Sequence, residues 1–350
     1  RESRKATRAA EQKAAADLMD AAIAAEGMKM THIIGPKTGH RYEPNARIEV
    51  AKLVDAAAEK GRDKRPKKVR LVTYSLRFNR MAWVAVDALE KHWEKASVDA
   101  ELTPAGARLM TTNIAALTLD LPSGTAVSID NIALKGGTAP LSFAKQGGRW
   151  TKAAPAPNTF PPAKRHGLQG PIDDAFMERF VIVEPTGSPS TPEVGGWIAD
   201  ELEYARRQWR LQMRGEPIAK KDRDVTPSDI TDANLILFGD PRSNSIIARI
   251  ADKLPVKWSS STVAIGEKSF SAKSHVPVVI FPNPLNPKRY VAINTGFTFA
   301  VVGGQSNSQQ TPKLPDWAIV DTAIPRPDRL LKGIAAADFF DEQWRVPLGR

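Results

Sequence analysis

The stretch "ANLILFGDPRSNSIIARIADKLP", residues 233–255, changes its period halfway. Leu235 to Phe238 form an unbroken apolar run, the form of a short strand covered on both faces. Gly239 and Pro241 interrupt it, and Ile246, Ile247 and Ile250 then fall on helical spacing. Upstream, "RFVIVEPTG" (179–187) is another buried strand ending in a turn, and "GGWIADELEYARRQWRLQM" (195–213) follows as a helix. Downstream, "TVAIG" (262–266), "VPVVIFPNP" (276–284) and "RYVAINTG" (289–296) are further strands. Strands alternating with helices predict a three-layer parallel α/β domain over residues 171–350.

The segments before it have other characters. Residues 151–170 are Pro-rich and predict an extended connector. Over 69–150, "KVRLVTYSLRF", "MAWVAVDAL", "ASVDAEL", "ARLMTTN", "AALTLDL" and "AVSIDNIAL" are short β-prone runs between Pro, Gly and Asn turns. They predict a small β-sandwich module. Residues 1–65 carry a helical pattern at 11–26, with Ala15, Leu18, Met19, Ala22 and Ile23 on one face, stopped by Gly27. "MKMTHII" (28–34) is expected as a strand, and Pro44 to Lys60 as a second helix ended by Gly61. Helix, strand, loop and helix in that order match the closing unit of a doubly wound α/β domain.

Composition bounds the function. The 350 residues are 42% hydrophobic, enough for a buried core and two or three domains. No apolar run approaches the roughly 18 residues of a membrane helix, so no membrane span is expected. Without cysteine, thiolate catalysis, disulfides and Cys-ligated zinc are excluded. Of the net charge of +11, much lies in residues 1–80, where 19 Lys and Arg face 10 Asp and Glu. The densest run, "KGRDKRPKK" (60–68), carries no aromatic residue and no nucleic-acid motif. It is read as a solvated linker, and no nucleic-acid partner is expected. Beginning at Arg1 without a signal peptide, the sequence is expected to be a piece of something longer, or a mature or trimmed chain.

Two places could carry chemistry. The first is "THIIGPKTGH" (31–40), where Gly35 and Gly39 allow tight turns around a loop that presents His40. A catalytic base must reach a nucleophile's proton, and loops after strands are where α/β sheets gather reactive groups. The other reading of His40 is a surface loop histidine. The second place is "FGDPRSN" (238–244), where Asp240, Ser243 and Asn244 stand at a strand-to-helix junction. They make either a ligand turn or a plain capped turn. Its glycine pattern matches neither G-x-G-x-x-G nor a Walker loop. His92, His166 and His275 are expected to be structural or on the surface. No His pair has metal-ligand spacing, so no metal or cofactor is expected. The tryptophans are assigned to cores and interfaces, and "FPNPLNPKRY" (281–290) to a rigid turn.

"THIIGPKTGH", with "EQKAAADLM" before it and "YEPNA" after it, resembles the end of the catalytic domain in bacterial multidomain α/β-hydrolases described as prolyl-oligopeptidase-like serine peptidases. The resemblance extends through "TYSLRFNRMAWVAVDALEKHWEKA", "HGLQGPIDDAFMERFVIVEPTG", "NLILFGDPRSNSIIARIADKLPVKW" and "HVPVVIFPNPLNPKRYVAINTGFTF". It implies hydrolysis of a peptide or ester by a serine nucleophile, with His40 as the triad histidine and a secreted or periplasmic location. In such triads the chain order is serine, acid, histidine. Ser3 is the only serine before His40, no G-x-S-x-G occurs in the 350 residues, and the acid's place falls near Ala9-Ala10, with Glu11 and Asp17 as nearby carboxylates, Asp17 inside the helix. The resemblance therefore implies the C-terminal part of a hydrolase, inactive by itself. Two other classes compete: a binding or structural module attached to a hydrolase, for instance for a polymer or carbohydrate, and an unrelated enzyme centred on residues 239–244. The oligomeric state is left open.

Overall fold

The computed structural model describes residues 2–36, 38, 41–153, 159–259, 261–299, 312–325 and 332–347, with backbone alone for 2–12. The chain divides into two units, residues 1–64 and 65–350.

The first unit contains two helices, α1 (Glu2–Ala25) and α2 (Pro44–Lys60). Their ends follow local chemistry. Gly27 takes a φ of 72° just beyond α1. At α2, Glu43 accepts a 2.9 Å hydrogen bond from the Ala46 N–H, Pro44 opens the first turn, and Gly61 N–H closes the last on the Ala57 carbonyl. The strand expected at 28–34 is not formed: these residues run without secondary structure. A strand needs a partner for its backbone groups, and no other strand lies among the described residues of this unit. The apolar face of α1 likewise lacks a core, with Leu18 73% exposed.

In the second unit, residues 68–152 form two five-stranded sheets. The strands are β1 (Lys68–Thr73), β2 (Arg80–Met81), β3 (Val84–Leu89), β4 (Ala96–Thr103), β5 (Gly106–Thr112), β6 (Ile114–Leu119), β7 (Val127–Ile129), β8 (Ile132–Leu134), β9 (Leu141–Gln146) and β10 (Arg149–Lys152). One sheet has the order β1-β4-β5-β7-β8 and the other β10-β9-β6-β3-β2. Period-two alternation sends Val69, Leu71, Val84, Val86, Leu109, Leu117 and Phe143 into one shared core with Trp83 and Trp150. Asp130 and Asn131, both with positive φ, make the two-residue turn between β7 and β8. The Asp130 carboxylate accepts 2.7 Å hydrogen bonds from Thr111 N and Trp150 Nε1, binding the two sheets together.

The rest is a mixed α/β body. It contains β11 (Phe180–Glu184), α3 (Pro192–Met213), β12 (Ala219–Lys221), α4 (Pro227–Asp232), β13 (Asn234–Leu237), α5 (Ser245–Ile250), β14 (Val256–Trp258), β15 (Thr262–Ile265), β16 (Lys268–Ser271), β17 (His275–Asn283), β18 (Asn286–Ile293), β19 (Trp317–Asp321) and β20 (Ile334–Asp338). The main sheet has the order β12-β11-β13-β18-β17-β19-β20. Every residue of β11 and β13 is buried, as their apolar runs require. Thr226 and Asp229 form a reciprocal cap on α4. Burial pushes the Asp229 carboxyl up, but Lys220 and Thr226 outweigh it and bring its pKa down to about 2.

Two expectations are corrected here. The sheet is parallel only from β12 to β18; β17, β19 and β20 join it antiparallel. Only residues 284–285 separate β17 from β18. That is a hairpin length, far below the dozen or more residues a parallel crossover needs. Residues 262–265 do not enter the main sheet at all but form the middle strand of an antiparallel meander, β14-β15-β16.

Candidate functional site

From β11 the chain moves to β12 on one side and then to β13 on the other. The direction of winding therefore reverses between β11 and β13. In such sheets ligands bind outside the carboxyl ends of the strands at that point. The loops found there are 185–191, 238–244 and, one strand further, 294–299. Asp240, Ser243 and Asn244 sit in the middle loop, and all three are buried.

Their polar atoms serve the turn itself. Asp240 Oδ1 accepts from Arg242 N at 2.8 Å and Ser243 N at 3.0 Å, and its Oδ2 accepts from Ser190 N at 2.7 Å. Ser243 Oγ accepts from Asp240 N at 2.9 Å. Asn244 Oδ1 caps α5 by accepting from Ile246 N and Ile247 N, while its Nδ2 donates to the Phe238 carbonyl. Asn294 binds both backbone groups of Gly239, at 2.8 and 3.0 Å. On the β11 side, Gly187 N donates to the Ser243 carbonyl, and a side chain at Gly187 would come within 2.6 Å of the Arg242 carbonyl oxygen. The two loops therefore lock onto each other. Within 238–244, Asn244 caps α5 and Asp240 and Ser243 close the turn.

A shallow cleft remains beside the lock. Ser190, Val194, Asp240, Asn294, Trp258 and His275 are among the residues that line it. Its water-sized space is ≈ 20 Å³, room for about one water. Asp222, just after β12, accepts from Thr186 Oγ1 and Ser245 N at 2.7 Å each and so ties the loop after β11 to the start of α5. Burial pushes its carboxyl up, but these donors outweigh it and hold it below the usual carboxylate range.

His275, expected to be structural or on the surface, is held by its own turn. Its Nδ1 lies 3.2 Å from the Ser271 carbonyl and 3.1 Å from Ser274 Oγ. Ser190 was not singled out from sequence, and Trp258 was assigned with the other tryptophans to a core or domain interface. The rule that loops after parallel strands converge at the switch point was the available signal for Ser190; Trp258 reaches the cleft through the meander, which the sequence reading missed.

His40 lies outside the described residues, so the structure does not place it. His92 and His166 lie away from the cleft: His92 Nδ1 faces Glu342 Oε1 at 3.1 Å, and His166 Nδ1 faces the Leu76 carbonyl at 2.8 Å. Among the described residues, no cluster of three or more His, Asp or Glu gathers as metal ligands would. No described helix is long and apolar enough to cross a membrane. Comparison with protein-family models, curated proteins and solved structures found no match to the chain.

Proposed function

We propose that the chain belongs to a serine-dependent acyl hydrolase of the prolyl-oligopeptidase-like kind, acting on a peptide or ester outside the cytoplasm. In this reading His40 is the general base, and residues 65–350 form an accessory body that does no chemistry. The support for His40 is the sequence resemblance around "GPKTGH". The observation that carries the accessory role is the lock between residues 187–190 and 240–244. At the place where an α/β body of this winding would bind and transform a ligand, the polar atoms of the turn are already spent on one another.

The role of His40 follows from the chemistry of acyl transfer. The imidazole takes the proton of a serine hydroxyl as it attacks the carbonyl, then returns it to the leaving group. Fluorophosphonate labelling of the full gene product tests the reading. A labelled serine outside these 350 residues, with turnover lost in His40→Ala and kept in Asp240→Asn, is the expected result. Turnover that survives His40→Ala and is lost in Asp240→Asn would move the chemistry to residues 238–244.

A second reading, polymer or carbohydrate binding by the sandwich, is favoured by the aromatic residues on its surface. Phe78 is 79% exposed, and Tyr74 is also exposed. Such rings can stack on a sugar face. Polysaccharide pull-down with Phe78→Ala as the control separates this role from a purely supporting one.

A further inference from the structure

Among the described residues, the sandwich meets the connector and the α/β body at residues 76–77 and 92–93. On the sandwich side a one-turn 3-10 helix, Leu76–Phe78, is capped by Ser75 Oγ, which accepts from Arg77 N. Arg77 Nη1 lies 3.4 Å from Asp174 Oδ1 on the other side. The Leu76 carbonyl faces His166, His92 N donates to Glu342 Oε1 at 2.6 Å, and Trp93 stacks on Phe339 with ring centroids 4.9 Å apart. Arg77 keeps 36% of its side chain exposed, Asp174 only 5%. A buried carboxylate thus meets a half-exposed guanidinium across the joint.

We propose that the Arg77–Asp174 contact is an acid-released tie between the sandwich and the α/β body. Asp174 belongs to the 3-10 turn Ile172–Phe176. Tyr290 of β18 donates to its Oδ2 at 2.7 Å. Gln169 of the connector also faces it, as does Glu178, which pairs with Arg289 at 2.6 Å. The adjacent Asp173 is turned to Thr298 and Lys313. Burial is the largest influence on Asp174 and, against the Tyr290 bond and the Arg77 charge, raises its pKa to about 6. At neutral pH the carboxylate holds Arg77. Below that value it is neutral, and the guanidinium gains more by turning to water. Protonation also removes a buried charge, so acid loosens the tie without weakening the body that holds Asp174. The contacts of His92, Trp93 and His166 do not use the Asp174 carboxylate, so the release is expected at residues 75–79.

Amide hydrogen exchange of the 350-residue chain at pH 8 and pH 5, corrected for the intrinsic exchange rate, tests this. Protection at residues 75–79 should fall about 3- to 10-fold at pH 5, while β6 in the sandwich core is unchanged. Asp174→Asn, which mimics the protonated acid, should show the lower protection at both pH values. Arg77→Ala should do the same, and Arg77→Lys should keep most of the pH response. Equal protection at both pH values in the unsubstituted chain would overturn the proposal. So would a pH-dependent fall that survives in Asp174→Asn.

Discussion

Lys164 Nζ lies 2.6 Å from Asp316 Oδ2, and both side chains are completely shielded from solvent. The ammonium also donates to the Phe340 carbonyl at 3.1 Å and stands 4.9 Å from the Trp344 ring. The same Asp316 oxygen accepts from Phe340 N. One ion pair therefore fastens the Pro-rich connector to β19 and to the segment after β20.

Removing one partner of a buried pair leaves an uncompensated charge, which costs about 3–5 kcal/mol. Lys164→Met is expected to lose that much in urea denaturation at neutral pH. Burial already pushes the Asp316 carboxyl up, with Lys164 opposing it. Once the ammonium is gone, Asp316 takes up a proton more readily, so the loss should shrink in acid. Lys164→Met combined with Asp316→Leu should recover most of the stability.

Gly170 stands against the same carboxylate. It has a φ of 75°, and a Cβ there would come within 2.2 Å of Asp316 Oδ1. Gly170→Ala should therefore cost roughly 2–4 kcal/mol, from left-handed strain and the clash together. Thermal denaturation beside Gly215→Ala, where a Cβ meets nothing within 4 Å, provides the comparison.

Asp174 sets a pH dependence whose sign follows from its raised pKa. The folded chain holds the proton up to about pH 6, whereas the unfolded chain releases it near 3.9. The associated stability is complete below about pH 4 and is lost as pH rises through 6, on the order of 3 kcal/mol in all. Asp174→Asn should flatten stability between pH 4 and 7, leaving the variant the more stable chain at pH 7.5. Urea midpoints across that range measure it, and a variant that keeps the slope would assign the slope to another group.

In the full gene product, His40→Ala should lower the acyl-transfer rate about 10⁴-fold or more and shift the melting temperature little. In the 350-residue chain the same substitution should leave ester turnover at background. The check is p-nitrophenyl ester hydrolysis with and without a serine-directed inhibitor.

How much of this was legible varies with how local each cause is. The helix stops at Gly27 and Gly61 and the buried runs of β11 and β13 depend on neighbours in the chain, and the sequence showed them. The hairpin of β9 and β10 was missed although "QGGR" (146–149) marks it: Gly147 and Gly148 both take positive φ. The short gap between the runs at 276–284 and 289–296 was equally visible and already excluded an all-parallel sheet. At the candidate site the sequence supplied the turn residues Asp240, Ser243 and Asn244, but not their use. Whether Asp240 faces a ligand or the Ser190 N–H depends on a loop 50 residues away.

The sequence by itself determined the two helices of the first unit, the β-rich middle, the α/β character of the last part and the absence of thiol chemistry, because period, turn residues and composition act over a few positions. Only the tertiary structure decided that residues 262–265 leave the main sheet and that the switch-point turn is closed upon itself. It alone showed Lys164, in a connector read as extended, buried against Asp316. These outcomes join residues 50 to 152 positions apart. Over such distances desolvation and hydrogen-bond pairing are set by which segments meet, and no local pattern encodes that meeting.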